Sequence, residues 1–127
     1  MTTAERLSLL AAASHLFEDF TGPFGLRELE DLLTLELGAV DALETAHRHG
    51  DGSRIARAPA RILHVLSGNT PHAAFQSLLR GLIIGAPNHL KLPSNGLPEM
   101  NALLTRLPAA LSETITVSHE LPGDWNT

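Results

Sequence analysis

A short apolar segment that breaks into a turn and then opens a helix constrains this chain more than any other stretch. Residues 61–66 have strand length and are rich in β-branched and large aliphatic side chains, which is typical of a strand buried on both faces. The Ser-Gly-Asn sequence at 67–69 supplies turn chemistry. Thr70 is placed to cap the following helix with its hydroxyl, and Pro71 suits the first helical position, where a missing N–H is not needed. Turns between a strand and a helix are where ligands bind in open α/β sheets.

Further strands and helices follow this segment in alternation. Gly85 and Pro87 end the first predicted helix, and Pro108 ends the second. We expect strands at 61–66, 88–92 and 114–118, and helices at 71–84 and about 97–107. This β-α-β-α-β order predicts an α/β fold with parallel strands joined by right-handed crossovers. A three-stranded sheet leaves edges and faces to be covered, so we expect either part of a larger domain or amino-terminal helices that cover one face.

The first fifty residues are acidic and have helical periodicity. Residues 2–19 are predicted to form an amphipathic helix, because Thr2 and Glu5 have capping-box spacing and Gly22-Pro23 supplies a stop. A second helix is predicted over residues 26–37, with Gly38 at its end, and a third, shorter helical segment continues to Gly50. The second helix carries a stripe formed by Leu26, Leu29, Leu33 and Leu37. We interpret this stripe as core packing, with a docking face for a partner chain as the alternative.

Length and composition narrow the class of protein. A chain of 127 residues is long enough for one domain but short for a complete two-substrate enzyme. No apolar run approaches the roughly 18 residues of a membrane span, and the amino terminus lacks signal-peptide features, so we expect a cytoplasmic protein without membrane insertion. The net charge of −5 does not fit a general nucleic-acid binder. The absence of cysteine excludes disulfides, thiolate zinc sites and a cysteine nucleophile within this chain.

Three short segments follow one another around the first αβ unit: Leu-Ser-Gly-Asn-Thr-Pro at 66–71, Gln-Ser-Leu-Leu-Arg-Gly at 76–81 and Asn-His-Leu-Lys-Leu-Pro-Ser at 88–94. Together they resemble the bacterial acyl-CoA reductases of the LuxC type, fatty-acyl reductases that supply aldehyde to bacterial luciferase and share the aldehyde dehydrogenase fold. In that superfamily one strand leads into Asn-x-Pro and the next into Lys-Pro-Ser. Residues 69–71 match the first motif, and residues 91–94 match the second with one extra residue. The resemblance covers residues 54–125 and is weak over the first fifty.

The resemblance implies roles for individual residues. Asn69 is similar to the asparagine whose side-chain amide stabilises the oxyanion formed when a cysteine attacks the substrate carbonyl. Lys91 is similar to the lysine that binds the adenosine ribose or its phosphate, which would suit NADPH, and Ser94 would add a hydroxyl hydrogen bond there. The other cofactor-binding positions implied by the resemblance are Leu66, Ser67, Gly68 and Pro93.

The function implied by the resemblance is NADPH-dependent reduction of acyl-CoA, or another acyl thioester, to an aldehyde through an acyl-cysteine intermediate. Residues 1–50 would then be a helical amino-terminal segment, 51–60 a linker loop, and 61–127 an incomplete part of an aldehyde dehydrogenase-like cofactor-binding domain. The family's cysteine lies far downstream, so this chain is not expected to catalyse the reaction alone. Its expected protein partners are the remaining part of the enzyme or a further copy in a homo-oligomer. The alternative function is a non-catalytic αβ binding or interaction module.

Several candidate residues also have ordinary structural interpretations. Asn69 is a common turn residue, and His64 alternates with apolar strand residues as a packed core histidine does. His47 and His49 are two positions apart on the predicted helix, which points them to different faces and makes a poor metal pair, so no metal site is expected. The G-x-G-x-x-G dinucleotide motif is absent, which argues against a standard Rossmann enzyme.

Overall fold

The computed structural model describes residues 1–123, so residues 124–127 of the predicted cofactor-binding portion lie outside the described residues. The helices are α1 (Thr3–Ala12), α2 (Glu18–Thr21), α3 (Leu26–Leu37), α4 (Pro71–Ile84), α5 (Pro98–Arg106) and α6 (Ala109–Ser112), and a 3-10 turn covers Ser14–Leu16. The strands are β1 (His47–His49), β2 (Gly52–Arg54), β3 (Ile62–Val65), β4 (Asn88–Lys91) and β5 (Ile115–Ser118). This mixed architecture, helical first and then βαβαβ, confirms the predicted α/β fold.

The central sheet has the predicted parallel topology. Its strand order is β3-β4-β5, and both neighbouring pairs are parallel. Because the two crossovers advance in the same direction with the same hand, α4 and α5 lie on the same face of the sheet. Val65, Lys91 and Ser118 are in register on the opposite face, where Val65 is 63% exposed. The described residues place no helix over that face.

Helix α4 occupies the centre of the core. Its residues Phe75, Leu78 and Leu82 are buried, and α4 lies between the sheet on one side and α1 and α2 on the other. Phe17 packs edge-on against Phe75, with ring centroids 6.3 Å apart. The amino-terminal helices therefore cover α4, rather than the open face of the sheet.

The first predicted helix has the expected start but ends earlier. The hydroxyl of Thr2 accepts a hydrogen bond from the backbone N–H of Glu5 at 3.1 Å, so the predicted cap is present. Helix α1 ends at Ala12, however, and the chain continues as a 3-10 turn and the short α2. This break allows Phe20 to pack against Phe75, with ring centroids 4.3 Å apart. Tertiary aromatic packing here overrides the continuous helical period.

Helix α3 matches its prediction, but the helical segment predicted up to Gly50 is wrong. Gly38 ends α3 in the left-handed conformation, with φ of +92°. Residues 40–44 form turns, after which β1 and β2 pair as an antiparallel hairpin, with His49 opposite Gly52. Gly50 has φ of +61°, which a two-residue hairpin turn requires and a helix does not allow. The predicted loop at 51–60 accordingly contains β2.

Candidate active site

The turn between β3 and α4 projects from the carboxyl edge of the sheet. Leu66 is buried and its N–H donates to the carbonyl of Lys91 at 3.0 Å, whereas residues 67–70 are exposed. Ser67 Oγ accepts a hydrogen bond from the N–H of Asn69 at 3.3 Å, which closes the turn locally. Pro71 begins α4 at the predicted position. The turn is thus held through its backbone and through Ser67.

The predicted cap at Thr70 is not formed. Thr70 occupies the N-cap position, but its hydroxyl makes no capping hydrogen bond. Its ψ of 69° departs from the extended backbone that aims a capping hydroxyl at the first turn of a helix. The start of α4 relies on Pro71 and on the N–H of Ala74, which donates to the Thr70 carbonyl at 3.2 Å.

The side chain of Asn69 takes no part in the turn. Asparagine is usually favoured in turns because it tolerates positive φ or because its side chain bonds to nearby backbone. Asn69 does neither, since no residue other than glycine has positive φ in the described chain, and its amide makes no hydrogen bond to residues 1–123. The amide is therefore exposed and available to a ligand.

The turn after β4 lies beside the Asn69 turn. Lys91 ends β4 half-buried, and its ammonium forms no ion pair or hydrogen bond within the described part of the chain. A Cβ atom on Gly68 would lie 3.6 Å from the ring of Pro93, so the two turns are in contact. Ser94 is exposed beyond Pro93. The structure therefore brings the predicted site residues to one edge, with an amide, an ammonium and a hydroxyl as their polar groups.

A buried polar network underlies this edge, and sequence reasoning missed most of it. His64 is 5% exposed; its Nδ1 lies 2.7 Å from Ser77 Oγ and its Nε2 lies 2.8 Å from Asn88 Oδ1. Asn88 Nδ2 donates to the carbonyl of Ala86 at 3.0 Å. A Cβ atom on Gly81 would overlap Asn88 Oδ1, so glycine is needed there. Gly81 in the middle of an apolar helix is the sequence signal that could have revealed the network.

The far end of α4 carries the charged groups with shifted pKa values. Arg6 Nε donates to the carbonyl of Ile83 at 2.9 Å, in the last turn of α4, where a cation is favoured. Burial lowers the pKa of the Arg6 guanidinium, and the nearby Glu44 carboxylate opposes that shift. Hydrogen bonds from the hydroxyl and the backbone N–H of Thr3 lower the pKa of the Glu44 carboxyl. These groups fix α1 to α4 and lie away from the carboxyl edge.

The described part of the chain contains neither a metal-binding cluster nor a membrane-spanning helix. Among the side chains that the structure describes, no cluster of three or more His, Asp or Glu could hold a metal ion. Within residues 1–123, every helix is too short or too polar to cross a membrane.

Comparison with known protein families identifies the chain. The family model for acyl-CoA reductase (LuxC) matches residues 4–122. The chain belongs to the LuxC acyl-CoA reductase family. The match begins within α1, so the LuxC likeness includes the amino-terminal helices, where the motifs gave only a weak resemblance. None of the curated proteins and none of the solved structures matches the chain.

Proposed function

We propose that this chain forms the amino-terminal part of an NADPH-dependent acyl-CoA reductase and supplies one wall of its active site. The proposal rests on the location of two polar groups on adjacent turns. The Asn69 amide and the Lys91 ammonium lie at the same sheet edge, and neither has a partner within residues 1–123. LuxC membership supplies the reaction class.

Asn69 acts on the reacting carbonyl in this proposal. A cysteine thiolate from outside this chain attacks the thioester carbon, and the CoA thiolate leaves to give an acyl-cysteine. The negative charge that develops on the carbonyl oxygen is stabilised by the Asn69 side-chain N–H. Because the amide is already unpaired and the turn is held by Ser67, little rearrangement is needed for this donation.

Lys91 and Ser94 bind the cofactor in this proposal. The residues at the edge fit a phosphorylated nucleotide: the Lys91 ammonium suits phosphate, the Ser94 hydroxyl suits ribose, and the exposed backbone of residues 67–69 allows close approach. Pro93, which is partly exposed, provides apolar surface beneath it, whereas Leu66 is 7% exposed and contributes through its backbone. When bound, NADPH supplies the hydride that reduces the acyl group to the aldehyde.

Single-turnover acylation of the complete enzyme tests the proposal. Asn69→Ala should slow acyl-enzyme formation by about 10²- to 10³-fold, the range for loss of one oxyanion donor, while NADPH affinity changes little. Asn101→Ala is a matched control, because Asn101 is also exposed but belongs to α5 and not to the turn. If Asn69→Ala acylates at the wild-type rate but melts at a lower temperature, Asn69 is a turn residue and the catalytic role is wrong.

A further inference from the structure

The buried network around His64 joins the three elements that carry the proposed site. His64 lies in β3, Ser77 in α4 and Asn88 in β4. Asn69 lies between His64 and Ser77 in the chain, and Lys91 ends the strand that Asn88 begins. The network is therefore placed to fix both turns.

The Asn88 amide sets the hydrogen-bond direction at one end of the network. Asn88 Nδ2 donates to the Ala86 carbonyl, so Asn88 Oδ1 is left as the acceptor that faces His64. His64 Nε2 must then carry a proton, and in the tautomer protonated at Nε2 alone, Nδ1 accepts from the Ser77 hydroxyl. Each polar side-chain group in this buried chain has a partner, so the network has one well-defined arrangement.

The contact between His64 and Ser77 closes the loop that contains Asn69. The two residues lie on either side of the turn and are joined directly at 2.7 Å. Movement of α4 relative to β3 would stretch this bond and would also move Asn69. Oxyanion stabilisation depends on donor position, and a misplacement of about 1 Å can cost on the order of 10²-fold in rate.

The requirement for glycine at position 81 shows that the network sets the spacing between α4 and the sheet. Gly81 lies one turn after Ser77 on the same side of α4, and a Cβ atom there would also lie 3.1 Å from His64 Nε2. A glycine inside a helix is unfavourable relative to alanine. The close approach of α4 to His64 and Asn88 is kept despite that cost.

We propose that His64, Ser77 and Asn88 are positioning residues for acyl transfer, an inference that rests on the proposed function. They contact no substrate. The hydrogen bond from Ser77 to His64 holds α4 at the distance from β3 that places the Asn69 amide on the developing oxyanion. The hydrogen bond between His64 and Asn88 holds the start of β4 beside β3.

Ser77→Ala in the complete enzyme is the direct test. It removes the hydroxyl at a half-buried helical position and substitutes a residue with better helix propensity, so the fold should be retained. We expect acylation to slow by about 10- to 100-fold, with NADPH affinity within twofold of wild type. Because His64 Nδ1 loses its partner, the melting temperature should fall by more than in Gln76→Ala, an exposed control in the same helix, while the fold is retained. Ser77→Thr, which keeps a hydroxyl, should recover most of the rate.

Two results would overturn the inference. One is a wild-type acylation rate in Ser77→Ala, and the other is a slower rate that Ser77→Thr does not restore. Asn69→Ala is measured in parallel to separate the two proposals. If Asn69→Ala is slow and Ser77→Ala is normal, only the positioning role fails, whereas a normal rate in Asn69→Ala removes the proposed catalytic role of Asn69.

Discussion

Gly81 leaves the space that the side-chain oxygen of Asn88 occupies: a Cβ atom on Gly81 would lie inside the van der Waals surface of Asn88 Oδ1. Replacing glycine by alanine inside a helix normally stabilises a protein by about 0.5 to 1 kcal/mol. Here the added methyl group must displace Asn88 and His64, and overpacking of this kind costs about 1 to 3 kcal/mol. The sign of the usual substitution effect should therefore be reversed.

Gly81→Ala should lower the free energy of unfolding by about 1 to 2 kcal/mol, measured by denaturant titration. Gly52→Ala is the control, because nothing lies within 4 Å of a Cβ atom there. That control should change the free energy of unfolding by no more than about 0.5 kcal/mol. A stabilised Gly81→Ala variant would show that α4 does not need its close contact with Asn88.

Lys91→Ala should weaken NADPH binding and leave chemistry at saturating cofactor largely intact. Losing a charge-assisted hydrogen bond costs about 1 to 3 kcal/mol, which cofactor titration of the complete enzyme would measure. The loss should be larger for NADPH than for NADH, because an ammonium suits the additional phosphate. Arg106→Ala, on the exposed last turn of α5, is the control. Equal affinities for NADPH in Lys91→Ala and wild type would contradict the cofactor role.

Arg6→Met should destabilise the chain even though methionine fills similar space. The Ile83 carbonyl would lose its bond from Arg6 Nε, and an unsatisfied buried acceptor costs about 1 to 3 kcal/mol. Denaturant titration would measure the loss. Arg27→Met replaces an exposed arginine in α3 and should change stability by less than about 0.5 kcal/mol. Similar effects in the two variants would mean that the Arg6 contact adds no net stability.

Glu44 should make stability depend on pH on the acidic side. Because Thr3 hydrogen bonds lower the pKa of the folded Glu44 carboxyl below its unfolded value of about 4.3, the ionised group stabilises the fold above that value. The contribution is lost as pH falls through the folded pKa. The difference in unfolding free energy between wild type and Glu44→Gln should be present at neutral pH and disappear in acid. A difference that stays constant, or one matched by the exposed control Glu36→Gln, would contradict this coupling.

The open face of the sheet should make the chain self-associate. Val65 is 63% exposed on β3, which is an edge strand, and parallel sheets are normally covered on both faces. We expect concentration-dependent association in sedimentation experiments, and Val65→Lys should reduce it. Leu35→Lys, at an 81% exposed position on α3, should not. A clean monomer with a sharp cooperative melt would show that the face needs no cover.

Local signals predicted the αβ unit well because glycine and proline mark its boundaries. Pro71 and Gly85 delimit α4, and Gly38 ends α3, so these ends follow from backbone geometry alone. The β1–β2 hairpin was not predicted because its strands have the sequences His-Arg-His and Gly-Ser-Arg, which show no alternation of apolar and polar residues. Only the turn at Gly50 specifies it locally. Patterns of apolar spacing could not distinguish these residues from one more helical turn.

The candidate site was predictable only where its residues adjoin a turn. Asn69 and Lys91 stand next to recognisable motifs, and their shared edge follows from parallel topology. Ser77 and Asn88, in contrast, each look like ordinary residues in sequence. Their importance arises from contact with His64, which depends on how α4 lies on the sheet. The spacing of apolar residues along the chain carries no information about the distance between α4 and the sheet.

The contact of Arg6 with the Ile83 carbonyl joins residues 77 positions apart in the chain. Contacts with such long loops are costly in entropy before the intervening structure exists, so they form after short-range ones. The β3-α4-β4 unit should therefore assemble first, and α1 should dock last onto a finished α4. In kinetic measurements, loss of Arg6 should then chiefly accelerate unfolding and leave the refolding rate nearly unchanged. The amino-terminal helices would therefore stabilise a unit that has already folded by docking onto it in a late step.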